Sequence, residues 1–358
     1  MNLYRHIDRN KIKMDFVIEG DSSCYETEIK KLGGEIFFVT PKRENLLKNI
    51  NEYHSLKKVV CKYDFLYFNF SVLYYIYPFY IYSIKNKTKI ISHAHNIESN
   101  FLNKLYKFLH KFNRKVINRC SNYKFACSVE AGEWIFGKKA VRNHLVEIKK
   151  NAINLNDFKF NEEIRETKRK EIGVDQKIVI GNTGRFTEQK NQKFAVKIFD
   201  EIYKKNKNVT LLLIGDGPLK KGLEDETKFL SVYNNIKFLG ERTDVNELLQ
   251  AMDFFLFPST YEGFGIALIE AQAAGLMCLA SKDVIPKAAQ VTPLLEFKSL
   301  EDGEEAWSNR ILEMINTVNN YDRNGFTNLL EKNGYSIDKT AEDFSTFILK
   351  QCEGEKSV

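Results

Sequence analysis

Two glutamates, Glu262 and Glu270, stand eight residues apart in the run FPSTYEGFGIALIEAQAAGL. The run predicts a loop and then a helix from near Ile266, so one carboxylate lies in the loop and the other one turn inside the helix. Gly263 and Gly265 let the backbone come close to a ligand. The helix start offers unpaired amides to an anion, and each carboxylate can accept hydrogen bonds from a pair of hydroxyls. These residues predict a pocket for a polyhydroxylated phosphate ligand.

A second cluster, GNTGRFTEQKNQ, supplies the positive charge that the first cluster lacks. The guanidinium of Arg185 can grip two phosphate oxygens at once, and Lys190 adds a point charge. Both clusters follow apolar runs that predict buried strands, and open α/β sheets bind ligands at the carboxyl ends of their strands. Two cations for a diphosphate, with two carboxylates for ribose and hexose hydroxyls, describe a sugar nucleotide.

These residues resemble glycosyltransferase family 4, the retaining enzymes of the GT-B fold, which have an E-x7-E motif and a GRF-x-x-QKN-like phosphate loop. The segments LLLIGDGPL, FLGERTDV, LLQAMDFFLFPS and EAQAAGL fall in the family's order and spacing. The segments SHAHN, FACSVEAGEWIFG, KKNAIN and IPKAAQVTPLLEF are most similar to the EpsF-type enzymes of bacterial exopolysaccharide and capsule assembly. The resemblance covers nearly the whole chain and implies two doubly wound, Rossmann-like α/β domains facing across a cleft.

The resemblance also implies roles for single residues. Glu262 would contact hydroxyls of the transferred sugar as a catalytic residue, and Glu270 would hold the ribose hydroxyls. His95 is expected beside the donor sugar as a second catalytic residue, whereas we expect His93 to point to the opposite face of its strand and to be structural. The further residues expected to bind the donor are Arg185, Lys190, Gly263, Phe264, Gly265, Gly215 and Arg242.

A metal ion is not expected. The sequence has no D-x-D flanked by apolar strand residues, the pattern with which GT-A type enzymes hold a metal on their diphosphate. Arg185, Lys190 and the helix amides would take over the work of the metal. We expect no cofactor, because the nucleotide sugar is a substrate.

The domain organisation follows from alternating patterns. The runs MDFVIEG, EIFFVT, FLYFNF, KIISHAH and YKFACS alternate with helical stretches, and the second half repeats the alternation. We expect an acceptor-side domain at residues 1–155, a nucleotide-sugar domain at 156–335, and a helix at 336–358 that in the family crosses back to the first domain. The polar stretch 151–173 predicts the linker region.

The start of the chain departs from the family pattern. It resembles the family's first helix and second strand, and the first strand with its glycine-rich loop is absent. Two explanations stay open at this point: a true start codon upstream, or a truncated product.

A membrane contact is predicted from charge. The formal net charge is +7, and residues 99–129 hold no acid, while apolar residues recur there at helical spacing. Phe101, Leu105, Phe108, Phe112 and Val116 form this stripe in a basic amphipathic helix. Such a helix could rest on anionic headgroups. The alternative is that the stripe faces the domain core and the lysines are solvated.

Composition limits the compartment and the partners. Six cysteines without a CxxC pair fit a reduced cytosol, and the amino terminus has no signal pattern. The segment from Phe65 to Ile84 is long enough to span a bilayer, but its polar residues and tyrosines favour a strand followed by a covering helix. We expect a cytoplasmic protein held peripherally at the inner membrane face, with no nucleic-acid partner, because no recognised module accompanies the positive charge.

The leading hypothesis is a retaining hexosyltransferase that uses a nucleotide sugar, with UDP as the expected nucleotide, and a lipid-linked glycan acceptor. One alternative is a GT-B-fold sugar-nucleotide epimerase, which would need no acceptor. Another is a truncated, non-catalytic protein that binds nucleotide sugars. The sequence does not choose between front-face attack and a covalent intermediate, because no unambiguous nucleophile is visible.

Overall fold

The computed structural model describes residues 1–83, 88–97, 104–318 and 322–353. It divides into two compact units. Unit 1 comprises Met1–Ala152 and Ile337–Val358, and unit 2 comprises Ile153–Ser336.

Unit 1 is built from parallel strands and covering helices. Its strands are β1 Phe16–Glu19, β2 Ile36–Val39, β3 Phe65–Phe70, β4 Lys89–Ala94, β5 Tyr123–Ala126 and β6 Glu147–Ile148. Its helices are α1 Asn2–His6, α2 Glu26–Lys31, α3 Leu46–Val60, α4 Tyr77–Ser83, α5 Lys104–Cys120, α6 Val129–Phe136, α7 Lys138–Arg142 and α16 Ile337–Glu353. Strands β1 and β2 form one sheet and β3 to β6 form another, in chain order, and no pairing joins the two sheets among the described residues.

The five strands predicted in the first half of the chain are confirmed as β1 to β5. Runs of apolar residues explain these strands. Strand β4, for example, buries five of its six residues. The segment considered as a membrane span is strand β3 followed by helix α4. No helix in the described ranges is both long and apolar enough to cross a membrane.

Helix α16 belongs to unit 1, although it follows unit 2 in sequence. Its residues Ala341, Phe344 and Ile348 share a buried apolar cluster with the amino terminus of the chain. Tyr4 of α1 and Ile7, which follows α1, belong to this cluster. This cluster also contains side chains from β4 and β5. The chain end therefore contributes directly to the core that positions the strands of unit 1.

Unit 2 is a doubly wound domain. Its strands are β7 Ile178–Thr183, β8 Val209–Ile214, β9 Ile236–Gly240, β10 Phe254–Phe257, β11 Met277–Ser281 and β12 Leu295–Lys298. Its helices are α8 Leu155–Phe158, α9 Glu162–Ile172, α10 Gln192–Lys205, α11 Lys220–Thr227, α12 Val245–Ala251, α13 Ile266–Ala273, α14 Gly303–Val318 and α15 Phe326–Lys332. The six strands are parallel in the order β12-β11-β10-β7-β8-β9.

This strand order reverses direction between β7 and β10. From β7 the chain builds outward through β8 and β9, and then returns to build β10, β11 and β12 on the other side. The loops after β7 and β10 therefore leave the sheet toward opposite faces and open a crevice between them. These two loops carry the two clusters singled out in the sequence.

The prediction that residues 151–173 form a linker is wrong for α9. The charged side chains of this helix are held inside unit 2, where Lys168 Nζ lies 2.6 Å from Asp244 Oδ2. Arg169 is buried and donates to the carbonyl of Ala251 at 2.8 Å. A charge-dense segment looks like a solvated linker in sequence, but here its charges pair with acids and carbonyls around α12.

Candidate functional site

The two predicted clusters meet at the switch point of unit 2. Their loops are tied by hydrogen bonds, since the Thr260 amide donates to the Gln189 carbonyl at 2.8 Å. The side-chain amide of Asn191 donates to the Pro258 carbonyl at 3.1 Å. The loop after β7 and the loop after β10 are therefore one rigid constellation within unit 2, assembled from residues about seventy positions apart in sequence.

Glu262 lies in the loop, buried, with one oxygen fully engaged. Its Oε1 accepts from Lys190 Nζ at 2.5 Å and from Ser259 Oγ at 2.9 Å. Its amide donates to the Val284 carbonyl at 3.1 Å, and Lys190 Nζ also lies 4.7 Å from the centre of the Phe257 ring. Oε2 makes no hydrogen bond with the described residues. The carboxylate is thus oriented by two donors and keeps one oxygen for a ligand.

Glu270 lies one turn inside α13, as predicted. Gly265 precedes the helix with φ 81°, a left-handed conformation that glycine adopts without strain. Burial raises the pKa of Glu270 to about 7, opposed by the positive charge of Lys190. At neutral pH a large share of this carboxyl group is therefore protonated, since desolvation disfavours its charged form.

A pocket of about 650 Å³ opens beside these loops. It brings together four of the residues predicted to bind the donor: Arg185, Glu270, Gly215 and Arg242. The other lining residues come from the ends of β7 and β8 and from the segment after β9: Thr183, Gly184, Ile214, Asp216, Gly217, Glu241 and Val245. Glu262 and Lys190 adjoin this pocket, because the Lys190 stem packs against Gly184. Gly263, Phe264 and Gly265 are buried in the loop before α13.

Gly215 is needed where the loops after β7 and β8 approach each other. A Cβ atom on this residue would lie 2.2 Å from the Gly184 carbonyl oxygen, and its φ is 133°. Any side chain would therefore push apart the two loops that line the pocket.

The two arginines of the pocket differ in their partners. Arg185 is exposed and makes no side-chain hydrogen bond or ion pair with the described residues. Arg242 is held by Asp244, with its Nη2 2.6 Å from Oδ2, and by Glu171 at 3.1 Å. The guanidinium of Arg185 is thus available to a ligand anion, while Arg242 offers a positive charge already shared with two carboxylates.

His95 lies in unit 1, just after β4, and its ring Nε2 donates to Asn69 Oδ1 at 2.7 Å. The prediction that His93 points to the opposite face is wrong, because the His93 and His95 rings lie 4.0 Å apart. Strand side chains alternate with a period of two, so residues two positions apart share a face. His93 is buried and bonded to the Tyr67 hydroxyl through Nδ1 at 2.5 Å. Burial lowers the pKa of both histidines, which keeps both rings neutral at pH 7.

Two site residues were missed in the sequence. Ser259 orients Glu262, and Asp216 lines the pocket. Each stands within a motif that was noted, FPSTYEG or GDG. Their proximity to the ligand-binding residues was the available signal. Among the residues that the structure covers, no group of three His, Cys, Asp or Glu side chains is placed to hold a metal.

Comparison with known proteins bears on this arrangement. Over 96% of its length the chain superposes on the whole of HepE from Anabaena, solved in complex with UDP, with a TM-score of 0.70 and 18% identity. Residues 164–317 match the family model of glycosyl transferases group 1. The chain has the GT-B fold. It carries a glycosyl transferases group 1 domain in unit 2.

Two relatives by sequence carry glycosyltransferase names. EpsF of Bacillus subtilis (strain 168) is 28% identical over 325 residues, which cover 87% of this chain and 82% of EpsF. A shorter match, 30% identical over 139 residues, covers 38% of this chain and 34% of an Escherichia coli protein. That protein is named UDP-Gal:alpha-D-GlcNAc-diphosphoundecaprenol alpha-1,3-galactosyltransferase. The domain match and these relatives identify a transferase.

Proposed function

We propose that this protein transfers a hexose from a UDP-sugar to a lipid-linked glycan in exopolysaccharide or capsule synthesis, with retention of configuration, as a family 4 enzyme. The observation that carries the proposal is the switch-point pocket of unit 2, with Arg185 and Glu270 on its wall and the Lys190–Glu262 pair beside it. The similarity to HepE, solved with UDP, and to the Escherichia coli galactosyltransferase supports the choice of UDP and of a diphosphate-linked lipid acceptor.

The pocket supplies the donor contacts. Arg185 binds the diphosphate in a bidentate manner, and the amino-terminal end of α13 adds the partial positive charge of its dipole. Glu270 accepts from the ribose hydroxyls. Gly215, Glu241 and Arg242 form the walls beside the base. Arg185 and Lys190 together oppose the diphosphate charge, so we propose that no metal ion is required.

The Lys190–Glu262 pair has to adjust when the donor binds. A diphosphate brings negative charge that competes with Glu262 for the ammonium group of Lys190. Glu262 then has more of its carboxylate free for hydroxyls of the transferred sugar. Lys190 and Arg185 stabilise the leaving diphosphate, on which negative charge grows in the transition state.

The transfer step forms one bond and breaks one at the anomeric carbon. The acceptor hydroxyl oxygen bonds to this carbon, the bond to the diphosphate oxygen breaks, and the acceptor proton ends on the leaving phosphate in a front-face reaction. His95 is neutral, because burial lowers its pKa, and it is proposed to hydrogen bond a donor-sugar hydroxyl rather than to supply charge. A covalent intermediate is the alternative route.

The proposed location is the cytoplasmic face of the cell membrane, where a lipid-linked acceptor is available. Helix α5 supports it, since its sequence holds six lysine and arginine residues and no acid. Anionic headgroups attract such a segment.

The function is tested by incubating the protein with UDP-glucose, UDP-galactose or UDP-N-acetylglucosamine and a diphosphoundecaprenol-linked monosaccharide. Release of UDP that depends on the acceptor, and an extended lipid-linked product with an α linkage, are expected. UDP-sugar consumption without an acceptor, giving an epimerised nucleotide sugar, would instead favour the epimerase. If none of these three nucleotide sugars binds, the assignment of the pocket is overturned.

A further inference from the structure

Helix α5 turns three large apolar side chains toward solvent. Leu105, Phe108 and Phe112 are 62%, 66% and 55% exposed. Their spacing of three and four residues places them on one face of the helix. The idea that the apolar stripe faces the core is therefore wrong for these residues, while Phe101 lies outside the described residues.

The face that α5 buries is the polar one. His110 and Asn113 are buried together with Ile117. The Leu73 amide donates to His110 Nδ1 at 3.2 Å, and Asn113 donates to the Leu73 carbonyl at 2.5 Å. The His110 ring also stacks on Trp134 at 3.8 Å. These bonds fix the rotation of α5 about its own axis. The apolar ridge formed by Leu105, Phe108 and Phe112 therefore faces solvent.

A row of basic side chains flanks the apolar ridge. Lys104, Lys111 and Lys115 are exposed and stand three or four residues from Phe108 or Phe112 on the helix surface. The start of the helix is held in place by Tyr106, whose ring lies 4.9 Å from that of Tyr74. An outward apolar ridge beside lysines, with no acid in the helix, matches an anionic lipid surface in both polarity and charge.

We propose that α5 is a membrane-inserting edge, in which Leu105, Phe108 and Phe112 enter the acyl boundary of an anionic bilayer while the lysine row contacts lipid phosphates. This inference rests on the proposed transfer to a lipid-linked acceptor, and it adds the mode of contact. Insertion, unlike adsorption by charge alone, keeps the protein on the bilayer when salt screens the lysines.

The test places a fluorescent reporter on the ridge. The native tryptophans, Trp134 and Trp307, are both buried, which gives a constant background. Phe108→Trp is mixed with vesicles of phosphatidylcholine and phosphatidylglycerol whose acyl chains are brominated. Its emission should shift to the blue and be quenched by the bromine. Phe229→Trp is the matched control, because Phe229 is 90% exposed on unit 2 beside Asp225 and Glu226, and it should show neither effect.

Two further variants separate insertion from charge. Leu105→Ser with Phe112→Ser should lose vesicle binding at high salt, whereas Lys104→Gln with Lys111→Gln and Lys115→Gln should lose it mainly at low salt. Both should keep the unfolding temperature of the wild type. Unquenched Phe108→Trp, or retention of salt-resistant binding by the serine variant, would overturn the insertion. Burial of the ridge against a partner protein, with no binding to vesicles, would also overturn the insertion.

The outcome is separable from that for the proposed function. Stabilisation by UDP is measured in every variant without vesicles. Missing quenching with intact stabilisation by UDP contradicts only the membrane edge. Quenching of Phe108→Trp together with no response to UDP contradicts only the assignment of the nucleotide pocket.

Discussion

Lys190 Nζ lies 2.5 Å from Glu262 Oε1, although the two residues are 72 positions apart in the chain. The pair joins the loop after β7 to the loop after β10 across the switch point of unit 2. Glu262 is buried, so its charge depends on Lys190 for compensation. The cation assigned to the diphosphate and the carboxylate assigned to the sugar are therefore coupled before any donor binds.

This coupling predicts the stability of single and double variants. Lys190→Met should lower the free energy of unfolding by about 1–3 kcal/mol, because it leaves a buried carboxylate with one partner fewer. Adding Glu262→Gln should recover part of the loss, since the uncompensated charge is removed. Urea denaturation of the wild type, the two single variants and the double variant measures these free energies of unfolding. Lys193→Met, at an exposed lysine paired with Glu226, is the control and should change little. Additive effects of the two substitutions would contradict the coupling.

UDP should stabilise the protein without a divalent metal. A hundredfold excess of UDP over its dissociation constant stabilises the native state by about 2.7 kcal/mol. The shift in unfolding temperature is measured in EDTA. Arg185→Ala with Lys190→Ala should abolish the shift relative to the variant's own baseline, whereas Lys193→Ala with Lys197→Ala should keep it. An equal shift in the first double variant would remove the proposed diphosphate site.

The two glutamates should separate turnover from nucleotide binding. Glu262→Gln should lower the transfer rate tenfold to a hundredfold, about the contribution of a hydrogen bond to a charged group, while the dissociation constant of UDP changes little. Glu270→Ala should weaken UDP binding first, because Glu270 lines the pocket. Calorimetry with UDP and a transfer assay measure the two effects. The assignment fails where UDP alone depends more on Glu262 than on Glu270.

Glu270 should make stability depend on pH. Its pKa is about 7 in the folded protein, against 4.5 for a freely solvated glutamate, so the folded state binds more protons between these values. The free energy of unfolding therefore falls as pH rises from about 4.5 to about 7. Glu270→Gln should be more stable than the wild type at pH 8 by about 3.5 kcal/mol, from about 1.4 kcal/mol per pKa unit between 4.5 and 7, and equal to it near pH 4.

Thermal unfolding across this pH range checks the Glu270 prediction. Glu188→Gln, at an exposed glutamate in the neighbouring loop, is the control and should show no difference in this range. A Glu270→Gln variant less stable than the wild type at pH 8 would mean that the carboxylate is stabilised, rather than desolvated, in the folded protein.

Local patterns in the sequence determined much of the fold. Apolar runs predicted β1 to β5 and the strands before both site loops, because runs of about four to eight β-branched and aromatic residues favour strands. Gly265 and the residues after it located the start of α13 and placed Glu270 one turn inside it. These features depend on residues close together in the chain, so the amino-acid order alone carries them.

Only the tertiary structure decided which groups meet. The Lys190–Glu262 pair and the Arg242–Glu171 pair join segments far apart in sequence, so no local pattern encodes them. The sequence left open which face of α5 is buried. The structure buries the face of His110, whose ring accepts from the Leu73 amide and donates to the Trp134 carbonyl. Hydrophobic periodicity predicts that a helix has two faces. The polar groups presented by its neighbours decide which face is buried.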